Sequence, residues 1–198
     1  MKKELLRICV LFIMVFFVSC SKDSPEPTPT SLELTLRDEL GNVVSGSTVK
    51  LYSSATDLIN GTNLVGSIQY SDAAGKVKFS NLSNIIYYWY AEKDCKNNAY
   101  GTITTTTPLT SNVNNQLNVV LSSTGTIKFV NTSSDPYAVY INGTFGFNMN
   151  GGATEYRSGK TGSYSIRVLQ LSGYFFTPTE ETFNVALTCG QTFSVTFP

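Results

Sequence analysis

The sequence predicts an all-β chain arranged as two tandem antiparallel β-sandwich domains, and three observations carry that reading. Beyond residue 31, apolar residues alternate with polar ones, the period of a strand with one face buried. Short clusters of Gly, Asn and Asp separate these runs at the spacing of a sandwich, and no long window keeps a helical period. Aromatic residues make up 12% of the chain and charged ones only 14%, against about 25% charged in an average soluble protein. The polar surface therefore falls to Ser, Thr, Asn and Gly.

The chain opens with Met1-Lys2-Lys3-Glu4-Leu5-Leu6-Arg7, continues with an apolar run over residues 8–18, and reaches the small residue Ser19. A basic start, an apolar stretch and a small residue before a cut make an export signal. The run is shorter than the roughly 20 residues that span a bilayer. Phe17-Val18-Ser19-Cys20 resembles the lipobox of bacterial lipoproteins, with Phe17 in place of the usual Leu. That resemblance implies removal of a signal peptide, residues 1–19, and lipidation of Cys20, which places the protein in the cell envelope as an outer-membrane lipoprotein. Residues 20–31 then form a tether whose alternating prolines favour extended polyproline geometry. Lys22, Asp23 and Glu26 within it resemble the charged segments that send lipoproteins of the Bacteroidetes to the outer face of the outer membrane.

From residue 32 the strands follow in order. Leu32, Leu34 and Leu36 share one face, with Glu33, Thr35 and Arg37 on the other. A turn over 38–42 leads to a second run through Val43, Val49 and Leu51, and further strands are expected at 64–70, 77–79, 85–91, 100–107 and 117–121. After Ser122-Ser123-Thr124-Gly125 the pattern restarts, so the boundary falls near 123: the first domain spans 32–123 and the second 124–198. In the second, Ile127 with Phe129 and Tyr137 with Val139 and Ile141 alternate up to Asn142-Gly143, a strong hairpin signal. Strands at 153–157, 164–169, 183–187 and 193–197 complete it.

The order Asp38-x-x-Gly41-x-x-Val44-x-Gly46-x-x-Val49-x-Leu51-Tyr52, then Asp72-x-x-Gly75-x-Val77-x-Phe79, resembles transthyretin-like or carboxypeptidase-regulatory-like domains. It implies a seven-stranded Greek-key sandwich with no catalytic set of its own. Residues 138–144, 162–168, 172–174 and 193–197 are similar in strand layout to PEGA-type surface domains, although the Pro-Glu-Gly-Ala string is absent.

The chemistry available is narrow. The chain has no histidine, which removes the commonest general base and metal ligand. No Gly-x-Ser-x-Gly elbow and no Asp-x-Asp-x-Asp loop occurs, so no catalytic residue, metal site or cofactor is expected. Without Lys2, Lys3, Arg7 and Glu4, the 14 basic and 14 acidic residues become 11 and 13. Such a balance does not point to nucleic acid. Of the four cysteines, Cys9 lies in the signal and Cys20 takes the lipid. Cys95 and Cys189 remain, one in each half, either bridged or as free, half-buried thiols.

Ile85-Ile86-Tyr87-Tyr88-Trp89-Tyr90 is the most suggestive stretch. On a strand Tyr87 and Trp89 face one way and Tyr88 and Tyr90 the other. One set belongs to the core; the other is either covered by a neighbouring element or forms an aromatic surface that stacks on a sugar or a peptide. Tyr88, Trp89 and Tyr90 are thus the candidate ligand-binding residues.

The expected function is a non-catalytic envelope lipoprotein, a surface binding or scaffold module for adhesion or for an envelope complex. It would be held to the membrane by its lipid, with a glycan or protein partner at the cell surface. An accessory carbohydrate-binding lipoprotein of a nutrient-uptake system, and a fimbria-like subunit whose sheet edges accept a donor strand, are the alternatives.

Overall fold

The computed structural model describes residues 28–198; the export signal, Cys20 and most of the tether lie outside them. The described chain is all-β, with two hydrophobic cores. In order, β1 (Ser31–Asp38), β2 (Thr48–Tyr52), a short helix α1 (Ala55–Asn60), β3 (Gln69–Tyr70), β4 (Lys76–Phe79), β5 (Tyr88–Lys93) and β6 (Lys96–Asn97) surround the first core. β7 (Asn114–Asn131) follows, then β8 (Tyr137–Ile141), β9 (Thr144–Met149), β10 (Thr154–Lys160), β11 (Gly162–Gln170), β12 (Glu180–Leu187) and β13 (Thr192–Phe197).

One layer over the first core is β4-β1-β7 and the other is β3-β2-β5-β6. Leu32, Leu34 and Leu36 from the first meet Val49, Leu51, Trp89 and Ala91 from the second, each fully buried. The alternation in sequence is the alternation of inward and outward side chains. The second core lies between β10-β7-β13 and the four-stranded sheet β12-β11-β8-β9. Ile127, Phe129, Val139, Ile166, Val168 and Phe197 fill it.

β7 belongs to both. Its first part runs parallel to β1, from Ser31 opposite Asn114 to Asp38 opposite Leu121. Its last part pairs antiparallel with β10 and parallel with β13. Val119 and Leu121 enter the first core, Ile127 and Phe129 the second, and the odd-numbered side chains point inward on both sides of the junction. The strand passes without a break through 122–125, where the sequence pattern restarts. Gly125 marks a close approach instead of a bend: a Cβ there would lie 2.5 Å from the Thr188 carbonyl oxygen and 2.9 Å from Leu187.

The expectation of purely antiparallel sheets is corrected at the β1–β7 and β13–β7 pairs. Parallel neighbours need a long crossover, and each of these pairs is separated by a run of other strands. Of the strand expected at 64–70 only Gln69–Tyr70 is paired as β3, and Leu64 makes a single bridge to Tyr52. Residues 100–107 form a loop with one bridge, Thr104 to Tyr88. The two-residue β6 arises where no strand was expected, whereas β9 is the second strand of the hairpin expected at Asn142-Gly143. α1 is too short for periodicity to reveal, yet its caps are legible: the Ser54 hydroxyl accepts from the Asp57 amide at 3.1 Å, and Gly61 ends it in the left-handed region.

The junction between the cores is clamped on several sides. Cys95, in the β5–β6 turn, is disulfide-bonded to Cys189, in the β12–β13 turn. Lys160 on β10 lies 2.7 Å from the Glu39 carboxylate, and the Tyr100 hydroxyl donates to the Ser158 carbonyl at 2.8 Å. The Thr161 amide donates to the Ser123 carbonyl at 2.9 Å and the Thr124 amide to the Cys95 carbonyl at 2.8 Å.

Candidate functional site

The aromatic stretch divides between two faces of β5. Tyr87 and Trp89 point into the first core; Trp89 is 0% exposed. Trp89 is thus a packing residue, and the candidate surface narrows to Tyr88 and Tyr90. Both lie half-buried on the outer face, where Tyr52 stands opposite Tyr88, Lys50 opposite Tyr90 and Thr48 opposite Glu92 on the neighbouring β2. Thr104 borders Tyr88 on the other side. The alternation that buries Val49 and Leu51 inward sets Thr48, Lys50 and Tyr52 on the opposite face, where Tyr52 is itself covered at 2% exposure, so the open part lies around Lys50 and Tyr90.

The face combines aromatic area with groups of both signs. The Lys50 ammonium is 6.0 Å from the Tyr90 ring centroid and 3.7 Å from the Glu92 carboxylate. Burial, and after it the neighbouring Glu92 carboxylate, raises the Tyr90 phenol above its ordinary value. It therefore remains a neutral hydrogen-bond donor at any physiological pH. A donor ammonium, an acceptor carboxylate and two phenols can stack on and hydrogen-bond to a polar ligand.

The carboxylates of Asp38 and Asp72 are committed to the fold. Asp38 Oδ1 accepts from the amides of Leu40 and Asn42, and Asp72 Oδ1 from those of Ala74 and Lys76. These are side-chain-closed turns. Among the described residues no group of three or more His, Cys, Asp or Glu is placed to hold a metal ion, and no helix is long and apolar enough to cross a membrane. Cys95 and Cys189 are bonded to each other across the junction. Cys20 lies outside the described residues.

Sequence reasoning overlooked a second aromatic feature. Phe175 and Phe176, between β11 and β12, are almost wholly exposed. A signal was present: two adjacent large apolar residues outside any alternating run, followed by Thr177-Pro178-Thr179, have no strand to turn either ring inward.

No known family profile matches the chain, and no curated protein matches it. Among solved structures it is similar to a streptococcal ancillary pilin, at 15% identity and a TM-score of 0.40, covering 86% of this chain and 63% of the pilin. A minor pilin of Streptococcus agalactiae gives 14% identity and a TM-score of 0.31, covering 84% of this chain and 94% of that one. A DUF3823 family protein of Bacteroides uniformis gives 11% and 0.32, covering 80% and 99%. At TM-scores this low the likenesses bear on neither family nor function.

Proposed function

We propose that the protein is a non-catalytic, lipid-anchored module of the bacterial cell envelope: two tandem β-sandwiches of the transthyretin-like and PEGA-like kinds, held by Cys20 and used for binding or scaffolding at a surface. The observation that carries this reading is β7. It begins beside Ser31, where the tether ends, and runs through both cores to Asn131, a span of about 55 Å at roughly 3.3 Å per residue. With the disulfide and the Glu39–Lys160 pair beside it, it makes a spacer of fixed length. A fixed spacer joined to an anchor presents its far end at a set distance from it, which suits display and does nothing for turnover. Acylation of Cys20 would supply the two-signal hydrophobic attachment that holds a protein stably on a membrane. Metabolic labelling of cells expressing the full chain with a tagged fatty acid tests it. The wild type should carry the label and Cys20→Ala should not; an unlabelled wild type, or label that survives in Cys20→Ala, removes the anchor.

A second reading, an accessory carbohydrate-binding lipoprotein, is favoured by the outer face of β5. Tyr88→Ala/Tyr90→Ala in the intact chain should abolish retention on a polysaccharide panel while Trp89 emission stays that of a buried indole. Unchanged retention removes this reading and leaves the scaffold.

A further inference from the structure

The connection between β11 and β12 reads Leu171-Ser172-Gly173-Tyr174-Phe175-Phe176-Thr177-Pro178-Thr179 and contains no charge. Phe175 is 98% exposed and Phe176 96%, with Leu171 and Tyr174 about half exposed beside them. Contiguous apolar exposure of this kind marks a surface that something else covers.

The base of the loop is built. The Gln170 amide donates to the Thr179 carbonyl at 2.8 Å, and the Thr179 amide donates to Gln170 Oε1 at 3.1 Å. Gln170 Nε2 donates to Asp135 Oδ2 at 2.8 Å, and the Leu171 amide to the Pro136 carbonyl at 2.8 Å. Gly173, at φ +84°, lies so close to the Asp135 carboxylate that a side chain could not fit. The rings are therefore held out by a fixed frame.

Its position in the fold says what it can face. Gln170 pairs with Tyr137, and Thr132 donates to the Phe197 carbonyl, so the loop stands at the end of β7 opposite Ser31. The chain outside the described residues joins at Thr28, three residues before β1, and the rings project from the other pole. A sugar stacks on a ring whose other face is backed by protein; these rings are open on both faces. What a charge-free loop with two bare phenyl rings does fit is the interfacial layer of a bilayer, which shapes itself to the rings. The charges at the base choose the lipid. Asp135, Glu180 and Glu181 flank it, and Arg167 on β11 is 3.4 Å from the Glu180 carboxylate. Such a rim repels an anionic bilayer and tolerates a zwitterionic one.

We infer that residues 171–179 are a lipid-inserting tip, in which Phe175 and Phe176 enter a zwitterionic bilayer. The anchored reading determines only which bilayer is meant: with Cys20 lipidated, the tip meets a second lipid surface and the rod bridges the two.

The test uses the chain carrying Cys20→Ser, which holds no lipid and so isolates the tip from the anchor. Its sedimentation with phosphatidylcholine vesicles is compared with that of Phe175→Ser/Phe176→Ser and Phe175→Trp/Phe176→Trp in the same background. The expected result is binding to phosphatidylcholine that drops at least about tenfold in the serine variant, survives in the tryptophan variant with blue-shifted emission, and weakens when a quarter of the lipid is phosphatidylglycerol. Both variants should keep the parent's circular dichroism and thermal midpoint, since neither ring packs on the fold. Absence of vesicle binding, or binding equal in parent and serine variant, overturns the proposal. So does transfer of the phenylalanine dependence to a polysaccharide or to self-association in sedimentation velocity, which would assign the loop to that partner. Absence of a fatty-acid label on Cys20 would count against the anchor alone, because the vesicle assay does not involve it.

Discussion

At the scale of single residues, Trp89 shows how a suggestive motif separates into packing and surface. Its indole is wholly buried, and Nε1 has no hydrogen-bond partner among the described residues. A buried donor left unpaired costs about 1–3 kcal/mol, so the residue stabilises through area and shape against that penalty. Trp89→Phe removes the orphan N–H together with part of the volume, and the two effects offset. We expect Trp89→Phe to lower unfolding stability by no more than about 1 kcal/mol. Trp89→Ala, which leaves a large cavity, should cost roughly 3–5 kcal/mol. Urea denaturation of both variants decides it: similar losses for both would mean that the indole N–H is satisfied in solution. The contrast with Tyr88 and Tyr90 was readable from period-2 spacing alone. Which face was the core was not, because that depends on β2, whose Val49 and Leu51 settle the direction.

At the scale of elements, Gly125 is where local reading and tertiary structure part. Ser122-Ser123-Thr124-Gly125 has turn composition, and composition is all that a local window sees. In the fold the same residues continue β7, because β6 pairs with Ser122 and Ser123 and β10 with Thr124 and Gly125, carrying the ladder across the junction between the β1 and β13 pairings. The glycine is needed for space beside the Thr188 carbonyl, not for its φ. Gly125→Val should therefore destabilise by roughly 1–3 kcal/mol through overpacking, despite the better strand propensity of valine. A stability gain in thermal unfolding would show the junction to be looser than this. The same logic explains the other differences. Strands carrying strict alternation, such as β1 and β11, were legible, whereas β6 and β9 lack a clean buried face and exist through their partners. The aromatic tip stayed hidden because no periodic rule registers residues that face nothing.

At the scale of the molecule, the question is what keeps two cores in one rod. β7 gives continuity, and the clamps resist bending about it. The disulfide closes a loop over 94 residues, which by chain entropy is worth about 4–5 kcal/mol. The Glu39–Lys160 pair is weaker but titrates. Its hydrogen bond to Lys160 comes first among the causes that hold the Glu39 carboxyl below its ordinary value, with burial opposing and Ser122 and Ser123 adding to the lowering. Glu33, held by Lys76 and Asn114, is lowered as well. A carboxyl whose folded pKa lies below its unfolded one contributes fully above the unfolded value, and that contribution fades as pH falls through the folded value. The thermal midpoint should accordingly be flat from pH 7 to about 5 and fall below about 4. Glu39→Gln should show a shallower fall, because the group that loses its partner is already gone. In the Cys95→Ser/Cys189→Ser chain the ion pair is the main remaining side-chain link across the junction, so the same acidification should also lengthen the tail of the pair-distance distribution in small-angle scattering. With the disulfide intact that distribution should stay unchanged until unfolding begins. An identical response in both chains would mean that β7 alone sets the angle between the cores.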